Sequence, residues 1–264
     1  MAQNQKAELL KGLYENSLEQ SMRLRETITS KELQALAGDK TPIDPKPFFQ
    51  SDELSVIAEI KRASPSKGHL AEIEDPLALA KTYESAGAAA ISVLTEQSGF
   101  SGSISDLEIV SAGVNVPTLR KDFISIKEQI LEAKAFGASM VLLIMLGLDD
   151  EKYKELFEYA KEHGLEVLVE THSESEIERA LNQPVSFLGI NTRNLNTFET
   201  DIHLFGNLVC KLPEGVIKVA ESAVGGVEDA RLYRQFGADA VLVGEALVKG
   251  DAKSLIESFR SIDK

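Results

Sequence analysis

A regular alternation constrains this chain more than any other feature. Short apolar, β-rich runs fall at 54–60, 89–94, 116–119, 140–145, 166–170, 187–190, 217–220 and 240–243. Longer stretches with helical patterning separate them. In 150–163, for example, Tyr153, Leu156, Phe157 and Ala160 recur on one helical face. Several of these stretches stop at a glycine followed by the next run, at Gly87, Gly137, Gly164 and Gly237, the expected C-terminal helix signal. Successive runs start 21–35 residues apart, about one βα unit each time. The pattern predicts an α/β protein whose parallel strands close into a (β/α)8 TIM barrel. A doubly wound open sheet is the alternative. It would carry a Gly-rich dinucleotide turn after the first strand, and the segment 59–68, EIKRASPSKG, is not one.

Ahead of the alternation, residues 1–38 read as helix, rich in Leu, Glu, Lys and Gln and free of proline. Leu10, Leu13, Leu24 and Ile28 form a stripe that Ser17 interrupts. Pro42, Pro45 and Pro47 then mark a connector. The expected organisation is one domain over 1–264, with an N-terminal helical extension (1–45) leading into the barrel (46–264). The last helix ends close to Lys264, so a single activity is expected.

Composition narrows the partners. Cys210 is the single cysteine, which leaves no intrachain disulfide and no cysteine-rich metal site. The four histidines show no ligand-like spacing, so no metal is expected. A formal charge of −14 argues against nucleic acid or an anionic membrane as partner. The longest strongly apolar run, 141–148, is too short to span a bilayer, and the first residues lack a signal-peptide core. A reduced, cytoplasmic setting is expected. Oligomeric state is not legible, and a monomer is compatible with everything read here.

In such a barrel the chemistry sits at the C-terminal ends of the strands. Those ends carry Glu59 and Lys61, Thr95 and Glu96, Arg120 to Asp122, Glu170, Asn191 and Arg193, Glu221 and Ser222, and Gly244 and Glu245. Glu59 and Lys61 are two apart, so both side chains point the same way. Charges facing a barrel interior are costly unless they pair or work. Together, Glu59, Lys61, Lys121, Glu170, Asn191, Arg193 and Glu221 predict an acid–base site with positive character. The small residues of ESAVGG (221–226) and VGEAL (243–247) sit where such barrels bind phosphate, after strands seven and eight. Phe100 lies in a Gly/Ser-rich loop, where it packs locally or walls a slot for a planar ring. Ser64 and Ser66 flank Pro65 and, by themselves, read as turn chemistry.

These residues resemble a known family. VIAEIKRASPSKG at 56–68 is similar to the signature of indole-3-glycerol phosphate synthases. ISVLTE (91–96), FSGS (100–103), LRKDF (119–123), VLVETH (167–172), GINTRNL (189–195) and VAESAV (219–224) agree in order and spacing. The resemblance covers about 40–250, and the leading helix fits the family's N-terminal extension. It implies conversion of 1-(2-carboxyphenylamino)-1-deoxyribulose 5-phosphate into indole-3-glycerol phosphate, carbon dioxide and water, with no redox or metal cofactor. Residue by residue, it implies Lys121 as general acid for ring closure and Lys61 as carboxylate partner and candidate acid for water loss. It implies Glu59 as a base and Glu170 near the closing bond. Asn191, Glu221 and Ser222 fall at further site positions, Ser64, Phe100, Arg193 and Leu195 at substrate contacts, and Ala223, Gly244 and Glu245 at the phosphate. Two of these positions are unusual for a phosphate site: alanine at 223, where glycine is common, and an acid at 245. A sugar-phosphate isomerase barrel or a non-catalytic binding barrel would not need two lysines, three glutamates and an aromatic wall.

Overall fold

The structure is a computed structural model that describes residues 2–194 and 198–263. Among them, eight parallel strands close into a barrel: β1 (Ser55–Ile60), β2 (Ala90–Leu94), β3 (Thr118–Lys121), β4 (Met140–Ile144), β5 (Glu166–Thr171), β6 (Phe187–Asn191), β7 (Ile217–Glu221) and β8 (Ala240–Val243). The ring closes where β1 pairs with both β8 and β2. Each strand lies within a residue or two of the run that predicted it. The expected glycine stops are present too: Gly87, Gly137, Gly164 and Gly237 all adopt positive φ after a helix, a conformation that favours glycine.

Period-two alternation divides the core in two. Val56, Ala58 and Ile60 of β1 face the outer helices, whereas Ile57 faces the barrel interior with Leu119, Met140, Leu142, Leu168, Phe187, Val219 and Leu242. Phe49 plugs the lower end against Phe187, with ring centroids 5.0 Å apart. The interior is therefore apolar below, and its next inward positions, toward the strands' C-terminal ends, are Glu59, Lys121, Glu170, Asn191 and Glu221.

The N-terminal segment departs from the expected single helix over 1–38. It forms α1 (Ala2–Thr27) and α2 (Ser30–Gly38). The break lies at Thr29, whose hydroxyl accepts the Glu32 N–H at 3.3 Å while the Glu32 carboxylate accepts the Thr29 N–H at 2.9 Å. This reciprocal cap starts a new helix at the cost of the old one. The interruption of the apolar stripe at Ser17 also acquires a reason. Leu13 packs on the inner core and Leu24 and Ile28 on the outer, while Ser17 and Ser21 between them are buried on acids. Ser17 donates to Asp122 at 2.7 Å and Ser21 to Glu132. Both acids are held by the buried Arg120 guanidinium, at 2.9 and 3.1 Å. Thus α1 lies across the upper end of the barrel through a polar seam.

Candidate active site

The upper end opens into a cavity of about 810 Å³, a size suited to a small organic ligand. Its floor is Leu142, Ile144 and Leu242, and Leu94, Phe100 and Phe123 form an apolar wall. Opposite stand the charged groups. Lys121 Nζ lies 3.1 Å from Glu170 Oε2 and 3.5 Å from Glu221 Oε2. Lys61 Nζ lies 3.6 Å from Glu59 Oε1 and 5.4 Å over the Phe100 ring, within reach of a cation–π contact. Ser92 donates to Glu59 at 3.3 Å, and Asn191 donates to Glu170 Oε1 at 3.0 Å.

Burial disfavours the Lys121 ammonium, yet the carboxylates of Glu170, Glu221 and Glu59 outweigh that cost and hold its pKa well above the ordinary lysine value. Burial likewise pushes Glu170 upward, but Lys121, then His172 and the Asn191 amide, hold its carboxyl well below the usual range. Glu221 moves the other way. Burial first and the neighbouring Glu170 charge second push it well above the usual range, against the pull of Lys121. The two neighbouring carboxyl groups are thus driven apart, Glu170 toward the ionised form and Glu221 toward the neutral acid, beside the Lys121 ammonium, and they titrate as a pair.

Two glycines make room for this arrangement. A Cβ on Gly189 of β6 would collide with Glu221 Oε1, and one on Gly244 would meet Glu59 Oε1 at 2.6 Å. The Oε1 of Glu221, packed against Gly189, is buried and has no hydrogen-bond partner among the described residues.

Beyond β7 and β8 the cavity is lined by Arg193, Ser222, Ala223, Gly244 and Glu245. Ser222 and Ala223 adopt left-handed φ of 69° and 56°, so alanine does occupy the conformation that glycine usually fills. The Glu245 carboxylate pairs with Lys67 at 2.8 Å and Lys249 at 2.9 Å. The acid at this end therefore offsets two amines. The Gly225 N–H already donates to Asp229 at 2.8 Å, which makes the Gly225–Gly226 pair a helix lead-in.

Not every expected residue reaches the cavity. Ser64 does not line it. Its hydroxyl accepts the Lys67 N–H at 3.2 Å inside a short hairpin, the turn role that its position beside Pro65 suggests. Leu195 lies outside the described residues. Glu96 binds its own loop, accepting the N–H groups of Ser98 and Gly99 at 2.9 and 2.7 Å. Arg120 faces the outer layer by strand parity. Sequence reasoning passed over Lys67 and Lys249, which line the cavity, and His172 behind it. Lys67 had a signal, as a lysine in the loop after the first strand.

Taken together, the fold and the site define an enzyme of the (β/α)8-barrel class, with acid–base groups and an anion-sized recess at its mouth. Residues 10–259 match the indole-3-glycerol phosphate synthase family. An indole-3-glycerol phosphate synthase from Leifsonia xyli subsp. xyli is 46% identical over 97% of this chain and 99% of its own length. One from a Nocardioides species is 49% identical over 87% of this chain and 88% of its own. Among solved structures, a thiamine phosphate pyrophosphorylase from Pyrococcus furiosus superposes with a TM-score of 0.60 at 15% identity, covering 80% of this chain and 95% of that one, a likeness of fold. The chain belongs to the indole-3-glycerol phosphate synthase family.

Proposed function

We propose that the chain closes the indole ring of indole-3-glycerol phosphate from 1-(2-carboxyphenylamino)-1-deoxyribulose 5-phosphate, as a carboxy-lyase of tryptophan biosynthesis. The observation that carries this reading is the meeting of Lys121, Glu170 and Glu221 with the Lys61–Glu59 pair around one cavity.

The substrate has an aryl carboxylate, a ketose carbonyl and a phosphate, and the cavity offers a matching place for each. The aryl ring lies along Phe100 and Phe123, with its carboxylate on Lys61. Ring closure puts negative charge on the former carbonyl oxygen, beside the Lys121 ammonium. That group stabilises the oxyanion and delivers its proton as the alkoxide forms. Loss of carbon dioxide restores the aromatic electron count in the six-membered ring. Water then leaves, with Lys61 as acid and Glu59 taking the ring proton. Glu170 and Glu221 keep Lys121 protonated and return its proton after each cycle. Asn191 orients Glu170. Arg193 and the backbone around Ser222, Ala223, Gly244 and Glu245 take the phosphate end, with Lys67 and Lys249 nearby.

Localised positive charge in an otherwise acidic protein suits a doubly anionic small molecule. No described helix is long and apolar enough to cross a membrane. We read the protein as a single-domain cytoplasmic enzyme with no nucleic-acid partner. Purified protein incubated with the carboxyphenylamino ribulose phosphate is expected to develop indole fluorescence and release carbon dioxide in equal amounts. No signal at micromolar enzyme refutes the reading.

A further inference from the structure

Behind the cavity stands a titratable side chain to which the reaction proposed above gives no task. His172 lies two residues beyond Glu170, between β5 and a short helix, α3 (Glu174–Ala180), with its side chain 11% exposed. Its Nδ1 is hydrogen-bonded to Glu176 Oε2 at 3.3 Å, and the same oxygen accepts the His172 backbone N–H at 2.9 Å. Glu176 is in turn fixed at the start of α3. Its N–H donates to Ser173 Oγ at 3.3 Å, and that hydroxyl contacts its other carboxylate oxygen at 3.3 Å. The ring is thus gripped at one nitrogen. The other, Nε2, is buried, has no hydrogen bond to any described residue, and lies 3.4 Å from Glu170 Oε1.

A histidine that only filled space would not need a buried carboxylate to set its ring angle. This one is oriented by one glutamate and aimed at another, the pattern by which an outer carboxylate fixes a working imidazole. We infer that His172, oriented by Glu176 and carrying a proton on each ring nitrogen, is a positioning residue for Glu170: its Nε2–H engages Oε1, so that Oε2 is the oxygen that exchanges protons with Lys121 and Glu221. This rests on the acid–base reading of Glu170 given above.

The other groups facing Glu170 are Lys121 from β3, Asn191 from β6, Glu221 from β7 and Tyr14 from α1. Asn191 is also on Oε1, and Lys121 is on Oε2. Two donors on Oε1 saturate it and favour the ionised carboxylate. They also keep the proton shared with Glu221 on the side that faces the cavity. Without His172, Oε1 keeps one donor, and the carboxyl pair takes up its second proton at higher pH.

Two substitutions separate this role from a purely structural one. His172→Gln keeps an amide N–H near the position of Nε2, whereas His172→Asn keeps one near Nδ1. The titration of the Glu170–Glu221 pair, followed by carboxyl-carbon NMR in the ligand-free protein, does not depend on turnover. Its outcome is therefore separate from that of the activity assay on the wild type. His172→Asn is expected to raise the lower midpoint of the pair by about one pH unit, and His172→Gln by clearly less, because its amide restores the donor near Nε2 but not the ring's charge beside Glu170. In turnover, His172→Asn should lower kcat about tenfold with KM within threefold, and His172→Gln should restore it. An unmoved midpoint in His172→Asn, or an equal shift in both variants, overturns the inference. If His172→Asn does not fold, Glu176→Gln keeps the acceptor for the His172 N–H but loosens the ring. The midpoint should then rise in the same direction by about half as much, and an unmoved midpoint there overturns the inference as well.

Discussion

Replacing Lys121 with alanine tests the centre of the site in two ways. The first is rate. A positioned general acid is worth about 10² to 10⁴ in rate, or roughly 3 to 6 kcal/mol of barrier at 1.4 kcal/mol per tenfold. We therefore expect kcat for indole fluorescence to fall at least about a hundredfold. KM should change far less, because Lys61 and Arg193 still hold the substrate's charges. The second is stability. Lys121 lies 3.1 and 3.5 Å from two buried carboxyl groups, and deleting one partner of a buried ion pair costs about 3–5 kcal/mol. That cost depends on pH. In the wild type Glu170 is held below its unfolded pKa. Its contribution is present above the unfolded value, near about 4.3, and is lost as pH falls further. In Lys121→Ala the burial that pushes Glu170 upward is no longer offset by the ammonium, so its carboxyl takes up its proton at higher pH than in the wild type. Folding is then penalised at neutral pH, and the penalty is relieved as the group protonates on acidification. The melting-temperature gap between variant and wild type should therefore narrow from pH 7.5 to about pH 5.5. Calorimetry at both pH values and the fluorescence assay measure the two effects. A kcat within threefold of wild type, or a gap that widens toward acid, refutes the reasoning.

Further outcomes follow from individual contacts. Arg193→Ala should raise KM more than it lowers kcat, since Arg193 lines the end of the cavity that the proposal gives to the phosphate; an unchanged KM removes it from the substrate. Gly189→Ala drives a methyl group into the seat of the Glu221 carboxyl. It should lower kcat more than tenfold with Tm reduced by a few degrees, and near-normal turnover would show that Glu221 needs no such seat. Thr29→Ala removes the cap that starts α2 and should cost about 1 kcal/mol in denaturant unfolding with kcat little changed. No loss of stability would assign the helix break to some other cause.

The barrel was legible because two local signals agree along most of the chain: short apolar, β-rich runs and glycines at helix ends. The polar strand ends were legible for a related reason, since Glu59, Lys121, Glu170, Asn191 and Glu221 occupy inward positions where apolar residues would pack at less cost. Strand parity also separates Lys121 from its neighbours Arg120 and Asp122, which face the seam under α1. That seam was not legible, because Ser17 reads as a flaw in an apolar stripe until Asp122, 105 residues away, is beside it. The helix break at Thr29 was written in the Thr–Glu spacing but masked by uniformly helix-favouring composition. The triad of Lys67, Glu245 and Lys249 and the aim of His172 depend on contacts between loops that only the closed ring brings together.

A crystal structure with indole-3-glycerol phosphate or an unreactive substrate analogue bound tests the central claim most directly. The account predicts the aromatic ring against Phe100, the phosphate between Arg193 and the turn at Ser222, and Lys121 Nζ within about 3.5 Å of the oxygen that began as the ketose carbonyl. A ligand seated elsewhere, or one that leaves Lys121, Glu170 and Glu221 out of contact with its reacting atoms, contradicts it.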